Sequence, residues 1–228
     1  MKTYIKHIFF DLDHTLWDFD KNSELAFDTI FKKDHPTIAT AEFVKVYAPI
    51  NQACWKLYQK DQMTHDELRY SRLKQSFDAL NYTISDSQID QISDQYIEYL
   101  PEFNHLFDDT IEVLDYLNQN YNLHIITNGF AQVQDKKINN SNIGHYFKTI
   151  TNSEKAGVKK PNPSIFEHAL QLAGAEKDQS VMIGDCLDAD VNGALSFGID
   201  AIFFNPNHLE VVGDINQIST LAQLKKLF

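Results

Sequence analysis

The stretch Ile5-Lys6-His7-Ile8-Phe9-Phe10-Asp11-Leu12-Asp13-His14-Thr15 decides how the rest of the chain is read. A short apolar run rich in β-formers, Ile5–Phe10, stops at Asp11, and a second aspartate follows at Asp13. Such a run suits a strand buried on both faces of a sheet. Side chains two apart in an extended segment point to the same side, so the two carboxylates converge where the strand ends. Like charges ~4 Å apart repel by about 4 kcal/mol at an effective dielectric near 20. A cation or a shared proton is therefore implied, although the same residues alone also read as an acidic turn closing a strand.

Working outward, Leu123–Thr127 (LHIIT), Val181–Ile183 (VMI) and Ala201–Phe204 (AIFF) repeat the short apolar texture and end in polar or glycine residues. Helical patterns lie between them. Thr110–Asn120 puts Ile111, Leu114 and Leu117 on one stripe, and Asn162-Pro163 reads as an N-cap and first residue of a helix carrying Ile165, Phe166, Ala169 and Leu170. Strand and helix alternating in this way predict a doubly wound, parallel α/β sheet. Residues 18–101 differ. Phe43, Tyr47, Ile50, Cys54 and Leu57 recur every three or four residues, an amphipathic helix; Leu68, Leu73, Phe77 and Leu80 suggest another, and Ile89, Ile92 and Tyr96 a third. Thr64-x-x-Glu67 and Ser85-x-x-Gln88 have the form of capping boxes. The expected organisation is an α/β core from residues 1–17 and 102–228, with an all-helical module, residues 18–101, inserted after the first strand.

Three further motifs follow strands or sit in loops. Thr127-Asn128-Gly129 offers a hydroxyl and backbone N–H groups for phosphate oxygens, though it is also a common strand exit. Lys159-Lys160-Pro161-Asn162-Pro163 places a lysine ahead of a proline; a lysine pair is otherwise usually a solvated face. Gly184-Asp185-Cys186-Leu187-Asp188-Ala189-Asp190 pairs a glycine turn with hard oxygen donors suited to Mg²⁺, or reads as an acidic strand-to-helix turn. Cys186 has no basic partner suggested near it and is taken as a small loop residue rather than a nucleophile. In open α/β sheets ligands bind beyond the carboxyl ends of the strands, where these motifs fall.

Composition narrows the function classes. The 228-residue chain is 43% hydrophobic and 23% charged, enough for a sizeable core. Its net charge of −12 argues against a nucleic-acid polymer as partner, since phosphate backbones require a basic footprint. Two cysteines, Cys54 and Cys186, give no disulfide framework. Asp11 and Asp13 interrupt the N-terminal apolar run too early for a secretory segment, and no stretch approaches the ~20 apolar residues of a membrane span. A cytoplasmic protein is expected.

The order of the four motifs resembles that of the haloacid-dehalogenase-like hydrolase superfamily, and the helical block resembles that family's helical cap. Within it, IITNGF, SEKAGVKKPNPSIFEHAL and GDCLDAD are similar to bacterial pyrimidine 5′-nucleotidases. The resemblance implies a Rossmann-like core and a Mg²⁺-dependent phosphatase. Asp11 would be the nucleophile and Asp13 the general acid and base. Thr127, Lys160 and the backbone of Asn128 would hold the phosphoryl group. Asp11, the backbone carbonyl of Asp13 and Asp185 would bind the metal, with Asp190 orienting Lys160 or a metal-bound water. His14 stands where the family most often has glycine. The implied substrate is a small phosphorylated metabolite, a pyrimidine or non-standard nucleoside 5′-monophosphate, with phosphoglycolate or a sugar phosphate as the alternative. A catalytically silent phosphate-binding regulator is the alternative of another class. Trp17, Phe19, Trp55 and Tyr58 are candidates to contact a base or sugar, packing being the other reading.

Overall fold

A computed structural model describes residues 4–228; Met1, Lys2 and Thr3, with which the expected core begins, lie outside the described residues. The chain divides into two compact units. One runs to Asp18 and resumes at His105–Phe228; the other is Phe19–Asn104.

In chain order the elements are β1 (His7–Phe10), then α1 (Phe19–Asp34), α2 (Thr40–Gln59), α3 (His65–Ala79) and α4 (Asp86–Tyr99) of the second unit. The first unit continues with α5 (Thr110–Leu117), β2 (Asn122–Thr127), α6 (Ala131–Asn140), β3 (Phe147–Asn152) and α7 (Ser153–Ala156). It ends with α8 (Pro163–Ala173), β4 (Ser180–Gly184), α9 (Gly193–Phe197), β5 (Asp200–Phe204) and β6 (Gln217–Ile218). Among the described residues the strands form one parallel sheet in the order β3-β2-β1-β4-β5-β6. This is a doubly wound, Rossmann-like α/β core, and the order reverses beside β1, where a ligand crevice is expected.

Register fixes which residues share the carboxyl edge. Phe10 lies opposite Ile125 on β2 and Ile183 on β4. Asp11, Thr127 and Asp185 therefore emerge together. Ile8, Phe9 and Phe10 are fully buried because neighbours pack both faces of β1. Below the sheet, Ile165, Phe166 and Ala169 of α8 pack with Phe9, Ile126 and Met182. The start of α8 is set as the sequence indicates: Asn162 Oδ1 accepts from the Ser164 N–H and Pro163 occupies the first turn. On α5 the buried positions are Thr110, Val113, Leu114 and Leu117, while Ile111 is exposed. Leu114 and Leu117 of the expected stripe are buried, and Thr110 and Val113 complete the inward face in place of Ile111.

The helical unit has its own aromatic core. Phe27 stacks on Tyr96 at 4.5 Å and meets Phe43 and Tyr47 edge-on at 4.9 and 4.8 Å. Both capping boxes form, at Thr64/Glu67 and Ser85/Gln88. On α2 the inward stripe ends on Tyr58 rather than Leu57, which is exposed. No described helix is long and apolar enough to cross a membrane.

Candidate active site

The first loop is held by its own backbone. The Trp17 N–H donates to the Leu12 carbonyl (2.8 Å) and the His14 N–H to the Trp17 carbonyl (2.9 Å). His14 sits at φ +60°, a left-handed conformation that a non-glycine residue adopts at a cost of about 1–2 kcal/mol. The chain thus keeps the loop geometry that glycine would reach freely.

Lys160, 2% exposed, is the centre of the site. Its Nζ donates to Asp11 Oδ1 (2.6 Å) and to the Ile126 carbonyl (2.6 Å), and pairs with Asp190 Oδ1 at 2.7 Å. Two hydrogen bonds and an ion pair thus hold the ammonium in place. The loop carrying it is clamped by Asn128, whose Oδ1 accepts from the Lys160 N–H (2.8 Å) and whose Nδ2 donates to the Lys160 carbonyl (2.9 Å). Asn128 therefore fixes Lys160 through its side chain, a role its sequence position did not disclose.

One ammonium faces three carboxylates. Oxygens of Asp11, Asp185 and Asp190 lie within 4.8 Å of one another. Burial, followed by the Asp190 charge, pushes the Asp185 carboxyl up to about 8, with a Thr15 hydroxyl at 3.3 Å opposing this. Burial also raises Asp11 well above the usual carboxylate range; Lys160 opposes that rise, while Asp190 and Asp185 add to it. Desolvation alone would lower the Lys160 ammonium, but Asp11 and Asp190 outweigh it and the net direction is up. Hard oxygens in excess over one cation are a donor set that fits a hard divalent ion such as Mg²⁺.

Gly184 makes this approach possible. A Cβ there would stand 2.2 Å from Asp190 Oδ2. That oxygen accepts from the Cys186 N–H (3.0 Å) as the chain enters a π-helical turn, Leu187–Asn192. Burial, then Asp190, pushes the Cys186 thiol up to about 12, opposite to the shift of an activated thiolate.

Asp13 is not one of the three clustered carboxylates. Lys137 Nζ meets its Oδ1 at 2.6 Å and Gln134 Nε2 donates to its Oδ2 at 2.8 Å. Thr127 Oγ1 accepts from Gln134 Nε2 (2.7 Å) and the Gly129 N–H (3.1 Å). Gln134 and Lys137 escaped the sequence reading. Their signal was the i, i+3 spacing that puts both on one face of a helix directly after Thr127-Asn128-Gly129.

Of the aromatic candidates, Trp17 is fully buried in the first unit with Lys137 Nζ 4.2 Å over its ring. Phe19 and Tyr58 are buried. Trp55 is half-buried and meets Tyr58 edge-on at 5.5 Å.

A parallel sheet with a carboxylate–lysine cluster at its switch point defines a class of hydrolase, and residues 5–198 match the haloacid dehalogenase-like hydrolase family. The chain belongs to that family. It is 32% identical to the pyrimidine 5′-nucleotidase PynA of Streptococcus pneumoniae, over 91% of this chain and 86% of that protein. It is 29% identical to the pyrimidine 5′-nucleotidase YjjG of Escherichia coli, over 96% and 95%. The crystal structure of the HAD-hydrolase YfnB of Bacillus subtilis, bound to magnesium, superposes with a TM-score of 0.88 at 26% identity and 99% coverage of both chains.

Proposed function

We propose that this chain is a Mg²⁺-dependent phosphomonoesterase that works through an aspartyl-phosphate at Asp11, with a pyrimidine or related nucleoside 5′-monophosphate as substrate. The observation that carries the proposal is the buried Asp11–Lys160–Asp190 cluster with Asp185 beside it. The substrate class is drawn from the two nucleotidase relatives.

Asp11, Asp185 and the backbone carbonyl of Asp13 would hold Mg²⁺, which neutralises charge on the phosphoryl group. The chain's own residues do the rest. A phosphate dianion meets the Lys160 ammonium, which is anchored by Asp190 and the Ile126 carbonyl so that it cannot follow the ligand away. Thr127 already accepts two hydrogen bonds, so its hydroxyl hydrogen is the part left to donate to a phosphoryl oxygen. The Asn128 N–H adds a second donor. Asp11 attacks phosphorus in line, the bond to the ester oxygen breaks, and Asp13 gives that oxygen a proton. Asp13 then takes a proton from water as the water attacks the phosphorus of the aspartyl-phosphate, which releases inorganic phosphate and regenerates Asp11. Positioning and charge stabilisation supply most of the acceleration. Haloacid dehalogenation, a chemistry of the same fold, has no phosphate ester oxygen for an Asp13 proton, so the pairing of Asp13 with Asp185 favours phosphoryl transfer.

Mg²⁺-dependent phosphate release from a panel of nucleoside monophosphates, sugar phosphates and phosphoglycolate tests the substrate. Preference for pyrimidine nucleotides supports the reading. Turnover confined to sugar phosphates or phosphoglycolate keeps the chemistry and removes the nucleotide.

A further inference from the structure

We infer that Lys137 and Gln134 of α6 are positioning residues that set the carboxyl of Asp13 against the leaving oxygen. This rests on the phosphomonoesterase reading above. Each donor takes a different oxygen of Asp13, Lys137 Nζ on Oδ1 at 2.6 Å and Gln134 Nε2 on Oδ2 at 2.8 Å. Two donors on two oxygens fix the plane of the carboxyl group as well as its place, which a single contact would leave to rotate.

The donors are themselves held. Lys137 is 2% exposed, with its ammonium over the Trp17 indole, and Gln134 is 1% exposed. Gln134 Nε2 also donates to Thr127 Oγ1, so one amide ties the phosphate-gripping hydroxyl to the group that handles the proton. Gly129 gives that amide its room: a Cβ there would lie 2.5 Å from Gln134 Cδ and Nε2.

A helix that served packing alone would not be built this way. The buried face of α6 is Val133, Gln134, Lys137 and Ile138. Half of it is polar, and long polar side chains are rarely buried fully because desolvation must be offset by partners. Gln134 Oε1 is buried with no hydrogen-bond partner in the protein. Stability would favour an apolar residue at that position, so its polarity is explained by what Nε2 reaches. Outer contacts of this kind orient reactive groups and are strongly felt when lost.

The test separates positioning from general damage. The rate of leaving-group release in a single turnover is measured for wild type, Lys137→Met, Gln134→Leu and Lys137→Arg. Two substrates are compared: the best sugar- or nucleoside-phosphate ester of the panel, and p-nitrophenyl phosphate, whose phenolate leaves without a proton. Thermal unfolding establishes that each variant is folded. Loss of a well-placed proton donor should slow the alkyl ester by about 10–100-fold and p-nitrophenyl phosphate by less than about 3-fold, with KM little changed. Lys137→Arg should recover much of the alkyl-ester rate. Equal loss on both substrates, or no loss on either, overturns the inference. Should Lys137→Met fail to fold, Gln134→Leu carries the same comparison with the same two outcomes. If wild type turns over neither ester, it is the phosphomonoesterase reading that fails instead.

Discussion

Raising the pH from 6.5 to 8 in the absence of divalent cations should destabilise this protein, and Mg²⁺ should cancel the loss. Burial and Asp190 push the Asp185 carboxyl up to about 8, whereas an aspartate in an unfolded chain titrates near ~3.9. Between those values the folded protein retains a proton that the unfolded chain has released. Stability therefore falls as pH rises, by up to about 1.4 kcal/mol per pH unit. Below 6.5 the His7–His124 pair acts in the opposite sense, because both rings are lowered by burial first and then by neighbouring charge. From 6.5 to 8 only the tail of the histidine titration opposes the carboxylates, which set the sign, and the loss there amounts to at most about 2 kcal/mol. A bound divalent cation takes over the role of the retained proton, so the Mg²⁺-dependent gain should grow across the same interval. Urea unfolding at four pH values, with EDTA or with saturating Mg²⁺, reads both quantities. Asp190→Asn should shrink the metal-free slope without abolishing it, since burial is the larger cause. Metal-free stability that is flat or rises with pH, or a Mg²⁺ increment equal at 6.5 and 8, would show that Asp185 does not retain its proton in the folded protein.

Gly184→Ala should destabilise by about 1–3 kcal/mol through overpacking against Asp190, and should lower phosphatase turnover far more than a stability change of that size explains; unfolding curves and kcat together check this. His124 is lowered to about 4 by burial, then by His7 and Lys148, so stability present above pH 6.5 should be lost as pH falls toward 4, by about 1–2 kcal/mol at pH 5; His124→Gln should flatten that acid limb in a pH series of unfolding midpoints. Phe27→Ala empties the aromatic core of the helical unit and should cost about 3–5 kcal/mol, seen as a lowered unfolding midpoint.

How much of this could be read in advance depended on where burial and apolarity coincide. β1, β2 and β4 lie inside the sheet, so IFF, LHIIT and VMI carry continuous apolar runs and were legible. Phe147–Asn152 forms β3 at the sheet edge, where Lys148 is exposed and Thr149 half-buried. An edge strand needs no apolar run, and none was there to find. Helix α6 was hidden for a different reason: its buried face carries Gln134 and Lys137, which contact Asp13 and Thr127, and these break the 3.6-residue pattern. Helix α1 similarly buries Asn22 and Ser23 ahead of Phe27 and Phe31. The motif aspartates and Lys160 were visible as residue types, and the structure gathers Asp11, Lys160, Asp185 and Asp190 at one edge. Contacts made by side chains distant in sequence, such as Asn128 on the Lys160 backbone, leave no local pattern.

In the proposed reaction Asp11 carries the phosphoryl group during turnover. Wild-type protein with Mg²⁺ and its best phosphate ester is quenched within one turnover, reduced with borohydride and digested. An aspartyl-phosphate is thereby converted to homoserine, and the peptide spanning Asp11 should show that conversion, absent in Asp11→Asn, which should also release no phosphate. Turnover with an unmodified Asp11 peptide, or an Asp11→Asn protein as active as wild type, would contradict the account.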